Sequence, residues 1–338
     1  MDESCIFHAA FPCLVLSMCV VPYLVRSGDS LLMETLADKT MATSGGRDKP
    51  KFALGAYFQM MKPTISLLVV FTTVPTLFMS AETMPSLSLI FAVLMGTFLA
   101  SSSASIFNHL LDEDVDATME RTRNRPLPSG AVHSEWATFL GLLLGTLSFL
   151  LLAVVANPLT AWLGLIANLF YVFIYTMWLK RRTPQNIVIG GAAGSIGPLI
   201  GWAAVTGTVS WEAWALFLVV FLWTPPHFWA LAIKYRDDYS KANIPMLPSV
   251  HGVETTRRQM FYYTLTLVPV TASLYFYSTA GMGYFLVSMA ASLYFCYLAF
   301  RLMVTKKEEH VMPVFFFSLL YIFVIFGALA VEQFIYLL

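Results

Sequence analysis

Nine separate runs of roughly 18 to 25 mostly apolar residues constrain this chain more than any other feature, because segments of that length leave water by crossing a bilayer as helices. They fall at 58–80, 86–107, 136–156, 159–179, 186–206, 212–233, 260–278, 282–303 and 313–335. Hydrocarbon offers no hydrogen bonds, so each run must satisfy its own backbone as a helix. With 58% hydrophobic and 12% charged residues over 338 positions, the soluble globular class is excluded. The expected fold is all-α: a polytopic membrane bundle of nine transmembrane helices.

The few charges are sorted by loop. Lys39, Arg47, Lys49 and Lys51 precede the first full span and Lys62 stands at its start. Further basic residues occupy alternate loops: Arg121, Arg123 and Arg125; Lys180, Arg181 and Arg182; Lys234, Arg236, Lys241, Arg257 and Arg258; Arg301, Lys306 and Lys307. The other loops hold Glu82 and Glu212, and Glu332 stands at the far end of the last span. By the positive-inside rule the basic loops are cytoplasmic and the carboxyl end lies outside. Net charge is zero, and nothing points to nucleic acid as a partner.

Residues 1–57 form an amino-terminal extension, and 58–338 the intramembrane domain. Cys5 to Val25 is another apolar run, followed by a Gly, Ser, Thr and Lys stretch that reads as a disordered linker. The run fits a signal anchor, an extra helix, or sequence upstream of a start at Met33 or Met41, and these stay open. It lacks the Arg- and Ser-rich character of a mitochondrial presequence, which points to a bacterial plasma (inner) membrane. Cys5, Cys13, Cys19 and Cys296 form no CxxC pair, so neither a zinc site nor a disulfide framework is expected.

Chemistry concentrates where the second span ends. Asn108, Asp112 and Asp116 are spaced i, i+4 and i+8, which puts their oxygens on one helix face. Carboxylates this close repel unless a cation or a proton intervenes. Mg²⁺ prefers such oxygens and takes one or two carboxylates together with phosphate. Arg121 and Arg125 downstream offer forks for phosphate oxygens. Asp112, Asp114 and Asp116 also open an EF-hand pattern, but Ala117 stands where it needs Gly and Arg123 where it needs Glu. A solvated charged loop is the plainer alternative.

A second charged end follows four spans later, on the same side: Lys234, Asp237 and Asp238 after Trp223-Thr-Pro-Pro-His227-Phe-Trp229. Four crossings suggest two pseudo-repeated halves around a central cavity. Pro225 and Pro226 are expected to kink or break the sixth span and open the pocket, unless the kink is purely structural. Lys234 and Asp238 could form a helix-surface pair, or Lys234 could contact diphosphate while Asp238 and Asp237 hold a second Mg²⁺. Lys180 and Arg181 reach the same face as catalytic cations or as snorkelling anchors.

These strings carry a resemblance from about residue 55 onward. Asn108-x-x-x-Asp112-x-x-x-Asp116 resembles the hallmark of intramembrane prenyltransferases of the UbiA superfamily. The stretches Asp116–Leu127, Asn186–Gly194 with Pro198 and Gly201-Trp202, and Pro226–Ile233 through Pro248 resemble the branch that farnesylates protohaem IX. Lys234-x-x-x-Asp238 departs from the superfamily's usual second Asp-x-x-x-Asp and fits the haem branch.

The resemblance implies transfer of farnesyl from farnesyl diphosphate to a vinyl group of haem B, with Mg²⁺ as cofactor. It assigns Asp112, Asp116, Lys234 and Asp238 to catalysis. Asn108, Asp112, Asp116, Asp237 and Asp238 fall to metal, and Lys62, Arg121, Arg125, Lys180, Arg181 and Lys234 to diphosphate. His227, with Trp229 beside it, is the candidate haem contact, against a hydrogen-bonded core histidine. Haem A synthase and oxidase-assembly proteins are the implied partners besides lipid. An aromatic quinone precursor as acceptor, or a transporter, are the rival functions; the crowding of acids at one surface speaks against the transporter.

Overall fold

The computed structural model describes residues 54–277 and 279–337; the expectations for the apolar run 5–25 and its linker lie outside them. The described residues belong to one unit, Ala53–Leu338, and contain helices, with no β-strand among them. In order these are α1 (Leu54–Met60), α2 (Pro63–Met79), α3 (Leu87–Leu111), α4 (Glu113–Thr118), α5 (Ser134–Leu151), α6 (Pro158–Leu169), α7 (Asn186–Gly194), α8 (Gly197–Thr206), α9 (Trp211–Lys234), α10 (Arg236–Lys241), α11 (Leu247–Val250), α12 (Gly252–Phe276), α13 (Met282–Thr305) and α14 (Val311–Leu337). α5 and α6 run on as wider π turns, Leu152–Ala156 and Phe170–Leu179.

Among the described residues seven helices are long and apolar enough to cross a membrane, or eight if α1 and α2, bent by 49°, form one span. α12 occupies the place of the seventh expected run but is not among these. It begins eight residues earlier than that run, and its first turns carry Glu254, Arg257 and Arg258. The expected break at Pro225 and Pro226 is not present. α9 is one helix with both prolines inside it, and the carbonyls of Phe221 and Leu222 lose only their local donors. A real interruption lies instead at Ser195–Ile196, between α7 and α8.

Helices in lipid gain little from hydrophobic exclusion, so close approach over small residues and interhelical hydrogen bonds hold them together. A Cβ on Gly201 would lie 2.4 Å from the Thr73 carbonyl oxygen, and one on Gly197 2.8 Å from that of Val69. This Gly-x-x-x-Gly face therefore lets α8 press on the α2 backbone. Between α3 and α5, Ser103 Oγ donates to the Gly141 carbonyl (2.8 Å) and Ser148 Oγ to that of Gly96 (2.7 Å). A larger core joins α9, α12, α13 and α14 around Trp229, Phe295, Tyr321 and Phe326, each 1% exposed or less. Exposed tryptophans stand at both ends, Trp136 and Trp178 at one and Trp211 and Trp214 at the other, as interfacial belts do.

Candidate active site

α3 ends at Leu111 and α4 starts at Glu113, yet the turn is carried across the joint. Asp112 N–H donates to Asn108 O (3.0 Å) and Asp116 N–H to Asp112 O (2.7 Å). The i, i+4, i+8 side chains consequently still face one way. All three are buried: Asp112 is 0%, Asp116 2% and Asn108 3% exposed.

Each carboxylate has a cation. Lys180, just past the π turn that follows α6, donates from Nζ to Asp112 Oδ2 at 2.5 Å. Burial pulls this amine toward its neutral form, but the Asp112 carboxylate outweighs that and holds Lys180 above its usual range. Asp116 receives both oxygens' bonds from Arg125 Nη1, at 2.9 and 2.7 Å. The loop makes this reach possible: Thr122 Oγ1 donates to Asp116 O, and Arg125 N–H to Thr122 O, so the chain curls back over nine residues.

Asn108 knits the wall together. Its Nδ2 donates to Asp112 Oδ2 (2.6 Å) and to Thr176 Oγ1 (3.3 Å), while Oδ1 accepts from Lys62 Nζ (2.5 Å). Lys62 sits in the bend between α1 and α2 with φ 47° and ψ 60°, a left-handed conformation costing a non-glycine residue about 1 kcal/mol. Arg181 is turned to Asp114, with Nη1 and Nη2 at 2.7 and 2.6 Å, and to the Leu111 carbonyl. The Arg181 hydrogen bond holds the Asp114 carboxyl below its usual range, against a smaller contrary effect of burial.

The second charged end meets the first through Arg121. Its guanidinium donates to Tyr239 Oη (3.3 Å) and lies over the rings of Tyr235 (5.1 Å) and Tyr239 (5.9 Å). A cleft at this seam is lined by Asp114, Thr118, Arg181, Lys241 and Asn243 among others. Lys234 is exposed, its ammonium 5.5 Å from the Tyr235 ring centroid rather than on Asp238. Asp237 is 84% exposed at its side chain, beside Arg236 (3.5 Å), and Asp238 is half-buried.

His227 lies between Trp223 (4.4 Å) and Phe315 (4.9 Å), stacked on both, with Nδ1 2.7 Å from Ser318 Oγ. Trp229 is 1% exposed, edge-on to Tyr263, and its Nε1 has no partner. The sequence pattern singles out neither Thr176 nor His109. His109 is 2% exposed with Nδ1 4.0 Å from Asp116 and neither ring nitrogen hydrogen-bonded. Its position next to Asn108 was the available signal; Thr176 is 68 residues from Asn108 and had none.

Below the acidic wall, residues of α2, α3, α6, α7 and α8 line a partly open, mainly apolar cavity. α3 contributes Thr97, Ala100, Ser101, Ala104 and Ser105 to its lining. These recur at i, i+3, i+4, i+7 and i+8, and Asn108 and Asp112 continue the same stripe. An apolar chamber therefore opens under the carboxylates.

Asp112 Oδ1 is buried with no hydrogen-bond partner. An anionic oxygen left bare in a low-dielectric site is expensive, and a hard cation is what it would accept. Among the described residues no three His, Cys, Asp or Glu side chains cluster to hold a metal by themselves. A cation here would complete its shell with a ligand's oxygens, which is how Mg²⁺ is commonly bound beside phosphate. The donor set fits that ion.

The profile of the UbiA prenyltransferase family matches residues 69–321. The protoheme IX farnesyltransferase of Gloeobacter violaceus is 45% identical over 300 residues, covering 87% of this chain and 98% of that one. Among solved structures, a digeranylgeranylglyceryl phosphate synthase superposes with TM-score 0.70 at 18% identity, over 83% of this chain and 98% of that one. A UbiA homologue from Archaeoglobus fulgidus, bound to DMAPP and Mg²⁺, gives 0.61 at 17% identity, over 81% and 99%. The match over most of its length makes this chain a member of the UbiA prenyltransferase family.

Proposed function

We propose that this protein moves a farnesyl group from farnesyl diphosphate to a vinyl group of haem B, giving a hydroxyethylfarnesyl haem and diphosphate. The carrying observation is a buried carboxylate with one bare oxygen, Asp112, standing directly over an apolar chamber. The 45% identity to a protoheme IX farnesyltransferase selects the acceptor.

In this reading the C1–O bond of the allylic diphosphate breaks and its electrons leave with the diphosphate. The vinyl terminus attacks C1, and the cation left on the porphyrin side takes up water and loses a proton. A bound Mg²⁺ supplies charge neutralisation on the departing oxygens. Asn108, Asp112 and Asp116 would hold it, with Asp238 able to hold a second and the solvated Asp237 adding little to that site. Lys62 orients Asn108, Lys180 and Arg125 orient the carboxylates, and Arg121, Arg181 and Lys234 face the diphosphate from the seam. The chamber keeps water from the allylic cation until the new carbon–carbon bond has formed. His227 and Trp229 are the residues assigned to the porphyrin.

The wider setting belongs to the same proposal. Residues 58–338 form the catalytic domain, with nine crossings in two halves that bring the charged loops to the cytoplasmic face of a bacterial plasma membrane. Haem A synthase or oxidase-assembly proteins would then receive the product.

The test is a product mass. Membranes carrying the protein are given farnesyl diphosphate, Mg²⁺ and haem B, and the porphyrin should gain one farnesyl group and one hydroxyl. Membranes that release diphosphate while the porphyrin mass stays unchanged would rule out haem as the acceptor.

A further inference from the structure

The chamber below Asp112 has a definite depth. Along α3 its lining runs from Ser105 to Thr97, and Thr97 lies eleven residues from Asn108. At about 1.5 Å per residue the space under the acidic wall is therefore about 16 Å deep. Every lining residue of α3 on this stripe is small. The next position, Val93, is branched and 0% exposed.

Val93 does not stand alone there. It packs with Leu77 from α2 and with Ile200 and Ala204 from α8 in a separate apolar cluster, each 5% exposed or less. Ile200 belongs to both structures, lining the chamber on one side and joining that cluster on the other. Thr97 Oγ1, buried at the junction, has no hydrogen-bond partner.

An extended carbon chain advances about 1.2 Å per bond, so a farnesyl group spans about 14 Å and one further isoprene unit brings it to about 19 Å. The first length fits a depth of about 16 Å and the second does not. We propose that Ile200, backed by Val93 and Leu77, is the floor that limits the donor to one farnesyl length. This rests on the prenyl-donor part of the function proposed above and is independent of the acceptor. The floor acts by exclusion: a longer tail must displace close-packed side chains or fold back on itself.

Binding of geranyl, farnesyl and geranylgeranyl diphosphate to the detergent-solubilised protein, with Mg²⁺ present and haem absent, reads the floor directly. Wild type should favour farnesyl over geranylgeranyl diphosphate, and Ile200→Ala should cut that preference by about tenfold or more. Thr97→Leu, which fills the chamber instead of opening it, should move the preference toward geranyl diphosphate by a similar factor. An Ile200→Ala protein that binds farnesyl diphosphate normally and keeps the wild-type ratio would overturn the floor, since the tail would then leave sideways into lipid. If that variant does not fold, a wild-type ratio in Thr97→Leu overturns it equally. Wild type that binds farnesyl diphosphate yet never farnesylates haem would sink the acceptor assignment, while these ratios would still decide the floor.

Discussion

The two acidic ends of the bundle look alike in sequence and differ in physics. At the first, Asp112 and Asp116 are buried and each is already gripped by a cation, Lys180 and Arg125. At the second, Asp237 stands in solvent with a single long contact, and Asp238 is half-buried on the short α10. The first is a preorganised wall, set before any ligand arrives. The second is a solvent-facing helix end joined to it through Arg121, Tyr235 and Tyr239. Charges in a dry, fixed setting act far more strongly than the same charges in water. The two ends should accordingly contribute unequally.

The largest effect is expected at Asp112. Asp112→Asn keeps an oxygen for Lys180, so the protein should still insert, but it removes the charge that faces the ligand. Turnover should fall roughly a thousandfold or more, measured as farnesylated haem per inserted protein. Near-normal Mg²⁺-dependent turnover in this variant would dissolve the contrast between the two ends. Arg125→Lys comes next. It preserves charge but swaps the planar guanidinium, whose Nη1 reaches both Asp116 oxygens, for a flexible ammonium, and a loss of about 10- to 100-fold is expected, as for other groups that orient a ligand.

Smaller effects belong to the second end. Asp238→Ala should lower turnover by about tenfold, with Asp237→Ala within about twofold of wild type because its carboxylate is solvated and screened. Reversal of that order, with Asp237 the more damaging, would mean that its exposed carboxylate turns inward when the ligand binds.

What the sequence discloses follows the same divide. Hydropathy located the bundle well: the run 159–179 appears as Pro158–Leu179 and 186–206 as Asn186–Thr206. Apolar residues flank Ser195–Ile196 on both sides, so the interruption between α7 and α8 leaves no trace in hydropathy. The start of α12 was missed for the opposite reason, since a helix can continue into water where a membrane span cannot. In the site, the i, i+4, i+8 spacing of Asn108, Asp112 and Asp116 fixed a shared face from local geometry alone. Which cation each acid holds is set by tertiary folding. Arg121 and Arg125 are equivalent in sequence, but the Thr122 hydrogen bond to Asp116 O curls Arg125 inward and leaves Arg121 for the seam. His227 shows the same limit: its stacking between Trp223 and Phe315 depends on α14, 88 residues later for the second ring.

The smallest expected effect separates burial from pairing within the first end itself. Asp114 and Arg181 form a two-pronged pair as short as that of Asp116 and Arg125, but Asp114 is 53% exposed at its side chain against 3% for Asp116. Solvent screens such a pair, so Asp114→Asn should cost less than about 1 kcal/mol at pH 7. The sign with pH follows from the direction of its shift. Arg181 holds the Asp114 carboxyl below its ordinary value of 3.8, so the stabilisation is present above that pH and is lost as pH falls through the depressed value. Thermal unfolding of wild type and Asp114→Asn in detergent should therefore differ slightly at pH 7, with the gap closing only below about pH 4. A loss at neutral pH as large as that of a buried pair, about 3 to 5 kcal/mol, would show that pairing geometry rather than burial sets the strength of this wall.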